Sequence, residues 1–138
     1  MSTFQVEVVS AEGQIFSGEA TAVYAAAITG EIGILPRHAP LLTKLKPGAV
    51  RLQTATGEQN IFVGGGIMEV QPKLVTVLAD SAMRAENADV ALAEAAKKRA
   101  EEMLANAKKD IDLAEAQKEL VEAAARLKFV QDLQKPTR

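Results

Sequence analysis

The sequence predicts a β-plus-α protein: an N-terminal antiparallel β-sandwich of about ten strands followed by a C-terminal antiparallel two-helix hairpin. Three observations carry that expectation. All nine glycines of the 138 residues lie at or before Gly66, and four of the five prolines lie at or before Pro72. From Ala85 to Arg138 there is no glycine and only Pro136, against fourteen alanines. Of the charged residues, 21 follow Ala85 and 13 precede it, and the apolar period changes from two to a 3–4 spacing in the same region. The expected division is a sandwich over 1–86 and a helical hairpin over 87–138.

In the first part, Phe4 to Val8, Thr21 to Ala25 and Ala49 to Gln53 alternate with period two, as half-buried strands do. Asn60 to Val63, Ile67 to Val70 and Lys73 to Leu78 are further strand-like runs. Glu12-Gly13, Ser17-Gly18, Thr56-Gly57 and Gln71-Pro72 punctuate them as turns, at the spacing of a sandwich. Gly64-Gly65-Gly66 is followed by a strand, with no Lys-Ser/Thr and no helix start, so it reads as a tight turn or bulge rather than a phosphate cradle.

The stretch from Gly30 to Gly48 is the longest expected irregular connection. It mixes Pro36, Pro40 and Pro47 with Ile32, Ile34, Leu35, Leu41, Leu42 and Leu45. A solvent loop is usually small and polar, so this is a shaped apolar corner, buried on its own core or offered to a partner.

In the second part, Asn87 or Asp89 is the expected N-cap of a helix to about Ala107, with Val90, Ala93, Ala100, Leu104 and Ala107 on one face. Asp112 with Glu115 three residues on predicts a capping box for a second helix. Its stripe is Leu113, Ala116, Leu120, Ala123, Leu127 and Val130. Glu115, Glu119 and Glu122 precede Arg126, Lys128 and Lys135, the order that complements a helix dipole. Lys108 to Ile111 contains neither glycine nor proline, so the helices can fold back or straighten into one arm.

Composition excludes several function classes. A net charge of −2 with 25% charged residues gives no field for nucleic acid or anionic lipid, and interleaved basic and aromatic patches are missing. No cysteine is present, which removes disulfides, thiolate metal sites and a cysteine nucleophile. MSTFQVEVVSAEG lacks the pattern of a signal peptide, and no run approaches a membrane span, so membrane association is expected only through a partner. His38 is the only histidine and has no companion for a common zinc site or a Cys-His pair. The acidic residues are scattered, without an EF-hand pattern. No active site emerges, which favours a structural or regulatory subunit. An independent binding module and a hydrolase with an unrecognised site are the other two readings.

GEIGILPRHAPLL followed by LKPG, then FVGGGIMEVQPKLVTVLADSAMRA, resembles the epsilon subunit family of bacterial F-type ATP synthases, called delta in mitochondria. The resemblance runs from Val6 to the second helix. It implies a non-catalytic rotor subunit that binds gamma, sits on the membrane c-ring, and helps pass rotation driven by proton or sodium flow to the catalytic head. It implies c-ring contacts at Glu31 and His38, with Arg37 where the family usually has glycine and Thr29 where it usually has an acidic residue. It implies a brake on ATP hydrolysis, in which the second helix inserts among the alpha and beta subunits and gamma, with Lys118, Arg126 and Lys128 as the basic contacts. The family's ATP motif, Ile/Leu-Asp-x-x-Arg-Ala, reads here Ala88-Asp89-Val90-Ala91-Leu92-Ala93. Leu92 in place of arginine removes a cation that pairs with phosphate. Asp89, Arg99 and Arg126 are the remaining candidates, so ATP is expected as a weak regulatory ligand or not at all, with no other cofactor and no metal. The implied location is the cytoplasmic face of the bacterial inner membrane, within the complex.

Overall fold

The computed structural model describes residues 2–134. The chain divides into two compact units between Glu86 and Asn87. The first contains strands β1 (Phe4–Ser10), β2 (Gly13–Ala20), β3 (Ala22–Ala27), β4 (Gly30–Ile34), β5 (Leu41–Thr54), β6 (Gly57–Val70), β7 (Leu74–Ala79) and β8 (Ala82–Arg84). A 3-10 turn, Ala85–Asn87, precedes α1 (Val90–Asn106) and α2 (Asp110–Leu133).

The sandwich is made by folding one long hairpin. β5 and β6, 14 residues each, pair from Leu41↔Val70 to Thr54↔Gly57. Gly66–Val70, paired with Leu41–Leu45, continues into β7, β1 and β2, whereas the other half of β5 pairs with β3, which carries β4, and the other half of β6 with β8. The inward face changes parity at the fold. On β6 the core residues are Ile61 and Val63, then Met68 and Val70; on β5 they are Leu45, then Val50 and Leu52. One strand slipping alone would turn its apolar set outward. Both strands flip opposite each other, so the register never shifts and both layers feed one core.

Gly65 and Gly66 supply that corner, with φ of +98° and +144°. A Cβ on Gly66 would overlap the Leu78 carbonyl oxygen, so no other residue fits. The triple glycine is therefore a fold inside one strand, and Asn60–Val63 and Ile67–Val70 belong to the same element. Among the described residues there are eight strands, within the roughly eight to ten that the alternating runs predict, and β5 and β6 serve in both layers.

Two other expectations are corrected. Ser17-Gly18 is not a turn but lies inside β2, where a Cβ on Gly18 would sit 3.2 Å from the Phe16 ring. Gly30 to Gly48 is not one irregular connection, since Gly30–Ile34 is β4 and Leu41 onward is β5, leaving only 35–40 irregular.

In the second unit Asp89 caps α1, accepting from the Leu92 N–H at 3.2 Å. α2 starts earlier than the predicted capping box. Asp110 and Asp112 both lie in its first turn, the N-cap is Lys109, and no side chain caps it. Nothing at Asp110-Ile111 resists helical angles, so the helix grows backward past Asp112. The last turn holds no base, so the dipole is complemented at the start only; Lys135 lies outside the described residues. Ala93, Ala100, Ala116, Ala123 and Val130 of the expected stripes are buried, and Leu104, Leu120 and Leu127 half-buried. Leu113, in the first turn, is exposed instead, and Phe129, off the stripe, is buried.

Candidate functional site

Three surfaces carry the expected site residues. The first is on β3, β4 and β5. Tyr24 pairs with Gly33 on one side and Arg51 on the other. Gly33 gives the ring its seat, since a Cβ there would lie 2.9 Å from Tyr24 Cε1. The Arg51 guanidinium lies 4.9 Å from the centre of that ring, within reach of a cation–π contact. Its Nη2 donates to Glu31 Oε1 at 2.9 Å, and its Nη1 is 3.8 Å from Glu58 Oε1. Gln53 Nε2 donates to the same Glu58 oxygen at 3.1 Å. Glu31 is therefore tied to a cation of its own chain.

The second is the connection 35–40. Arg37 has φ +65°, a left-handed conformation that costs a side-chain-bearing residue on the order of 1 kcal/mol. Its backbone N–H donates to Pro72 O at 3.2 Å. It lines a cleft of about 390 Å³ with Pro36, Glu19, Pro72 and Lys73. The His38 N–H closes the turn onto Leu35 O at 3.2 Å, and its Nδ1 is 2.7 Å from Ala39 O, so Nδ1 carries the proton in that contact. Glu31, Arg37 and His38 share no hydrogen bond or ion pair among the described residues.

Outside the expected residues, an aliphatic row crosses the outer face of the other layer. Lys44 faces Ile67, Ile67 faces Leu78, and Leu78 faces Val9, while the Ile28 N–H donates to Lys44 O. Ile28 is 59% exposed, Ile67 41%, Leu78 54%, and Leu42, two residues from Lys44, 68%. Exposed aliphatic side chains of this size, Ile67 and Leu78 directly paired, are of the kind that marks a protein interface. The signal in the sequence was leucine at an outward position of an alternating strand, at Leu78, but the row exists only once the register is known.

The third is the helical unit. Arg99 and Arg126 line one cleft of about 220 Å³ between α1 and α2, floored by Ala96, Ala100 and Ala123. Glu119 and Glu122 line it too, and Arg126 Nη2 is 3.4 Å from Glu122 Oε1. Two arginines are thus offset by two carboxylates. Asp89 is engaged as the cap of α1, and Leu92 is exposed. Lys118 and Lys128 are exposed, whereas Arg126 is half-buried; at about 100° per residue, Lys128 projects far around the helix from Arg126. The three inhibitory candidates do not form one stripe in this conformation.

Among the described residues no helix is long and apolar enough to cross a membrane, and no three of His, Asp and Glu gather as metal ligands.

Residues 3–85 match the family described as "ATP synthase, Delta/Epsilon chain, beta-sandwich domain", and residues 84–131 match "ATP synthase, Delta/Epsilon chain, long alpha-helix domain". The chain is 52% identical over 138 residues to the ATP synthase epsilon chain of Thioalkalivibrio sulfidiphilus, covering 99% of this chain and 98% of that one. It is 56% identical over 136 residues to that of Alkalilimnicola ehrlichii, covering 98% and 97%. The fold is shared with a chain in the Euglena gracilis mitochondrial ATP synthase OSCP/F1/c-ring structure, at 16% identity and a TM-score of 0.77, covering 91% of this chain and 79% of that one. With both parts matched in order and at least half of the residues shared with these curated relatives, the chain belongs to the ATP synthase delta/epsilon chain family.

Proposed function

We propose that the chain is a rotor subunit that couples ion flow through the membrane c-ring to ATP synthesis in the head, and that its helices restrain ATP hydrolysis. The observation that carries this reading is the separation into a sandwich that leaves large aliphatic side chains exposed and a helical unit whose buried residues are mostly alanine. The aliphatic row at Ile28, Ile67, Leu78 and Leu42 suits a permanent apolar contact, for which gamma is the partner. Glu31, Arg37 and His38 are the c-ring contacts, where the shaped apolar loop resists torque and the charges fix the register.

The restraint rests on the helical unit. Ala107–Lys109 joins the helices without glycine or proline, and α2 begins without a side-chain cap, so little opposes extension. Extended, α2 releases Arg126 from the cleft, and Lys118, Arg126 and Lys128 become available to the alpha and beta subunits. ATP is at most a weak ligand of the folded hairpin, because Glu119 and Glu122 share the cleft with Arg99 and Arg126. The complex places the chain on the cytoplasmic face of the bacterial inner membrane, held there by its partners. ATPase assay of the reconstituted head tests the reading. Truncation after Glu86 is expected to raise hydrolysis while the sandwich stays bound; equal rates with full-length and truncated chain refute the brake.

A further inference from the structure

We infer that Arg51 is a positioning residue that presents the Glu31 carboxylate to a cation of the c-ring loops. This rests on the proposal that Glu31 meets the ring. A glutamate on an exposed strand samples many rotamers, and fixing them on association weakens binding. Here the fixing is done beforehand. Arg51 holds Oε1 of Glu31 at 2.9 Å, while Oε2 makes no hydrogen bond among the described residues and remains available to accept.

Arg51 is itself held from two further directions. The Tyr24 ring lies under its guanidinium at 4.9 Å, on the seat left by Gly33. Glu58 lies 3.8 Å from its other terminal nitrogen and is steadied by Gln53. A lone surface ion pair fixes little, but a guanidinium hydrogen-bonded to one carboxylate, 3.8 Å from a second and lying over a ring is more restricted than one held by a single contact. The cluster carries two carboxylates against one guanidinium, so its residual charge is negative. That sign selects a basic partner group and repels an acidic one. Lysine at position 51 would keep the charge and lose the fork that spans both carboxylates.

The test uses membranes carrying the complete ATP synthase, stripped of this subunit and supplemented with full-length variants. The reading is the concentration that restores half of ATP-driven ion pumping. Glu31→Gln is expected to raise it, and Arg51→Gln to raise it about three- to ten-fold, the range for ordering one flexible side chain. In a Glu31→Gln background, Arg51→Gln is expected to add nothing, whereas a residue supporting only the fold would add its shift in either background. Thermal unfolding of the Arg51→Gln chain, expected to match the parent, checks that the sandwich is intact. If Glu31→Gln shifts the concentration and Arg51→Gln leaves it unchanged or lowers it, the positioning role is overturned and the ring contact stands. Shifts that multiply in the double variant overturn it too, by making Arg51 an independent contact. No shift with Glu31→Gln overturns the ring contact and the inference together.

Discussion

The sandwich and the helical pair are held together by opposite kinds of packing. The sandwich buries Val, Leu, Ile, Phe and Met from two layers around a corner that only glycine can form. The helices bury mostly alanine, with leucines half in solvent. A buried Val or Leu contributes about 1.5–3 kcal/mol, and a methyl far less. The contrast teaches where rearrangement costs least: moving the sandwich layers exposes large buried side chains, whereas parting the helices exposes mostly methyl groups.

The largest effect expected is at the corner. Gly66→Ala places a methyl on the Leu78 carbonyl at a φ of +144°, and is expected to destabilise the sandwich by at least about 4 kcal/mol. Denaturant unfolding followed through the first unit measures it, and a loss below about 1 kcal/mol would mean that the layers can hinge elsewhere.

Next comes a matched pair of core changes. Leu52→Ala removes a fully buried side chain and is expected to lose about 3 kcal/mol in the first unit. Ala116→Leu does the reverse on α2, where the alanine is 1% exposed, and is expected to lose about 2 kcal/mol by overpacking. Amide exchange resolved by unit separates the two. If the helices absorb leucine without faster exchange, their packing is looser than alanine implies.

Much of this contrast was legible in the sequence because composition carries it. Glycine confined to one half, with four of the five prolines, and alanine concentrated in the other give two units and two kinds of core. The cap of α1 was legible as Asn87 or Asp89 because capping is local and the apolar period begins just after them, and the structure selects Asp89. What pairing creates was not. The fold at Gly64 to Gly66 turns over the inward face of two strands at once, and period-two patterns on either side look like separate strands. Arg51 and Glu31 lie twenty positions apart and meet only because Tyr24 pairs with both Arg51 and Gly33. The start of α2 was misplaced for the opposite reason: Asp112 and Glu115 fit a capping box, but nothing before them stops the helix.

A smaller effect is expected at the start of α1. Asp89→Ala removes the acceptor for the Leu92 N–H and should weaken the first turn by about 1 kcal/mol, leaving the sandwich unaltered. Faster exchange confined to the amides after Asp89 is the expected readout, and loss across both units would show that the two stability scales are linked.

The smallest change has the opposite sign. Lys109 occupies the N-cap of α2 with φ −118° and ψ 153°, the extended geometry of a cap, yet offers no side-chain acceptor. Lys109→Ser puts a hydroxyl oxygen there without altering the backbone, and is expected to stabilise the start of α2 by about 0.5–1 kcal/mol. The gain exists only while the chain is non-helical at position 109, because a residue inside a continuous helix caps nothing. The substitution therefore favours the folded-back pair over a single long arm by up to about five-fold, the equivalent of that energy. If the extended arm is the restraint on hydrolysis, the Lys109→Ser complex hydrolyses ATP faster than the parent, with pumping intact. A slower rate would mean that the folded-back pair is the inhibitory form, and the proposed direction of the brake would have to be reversed.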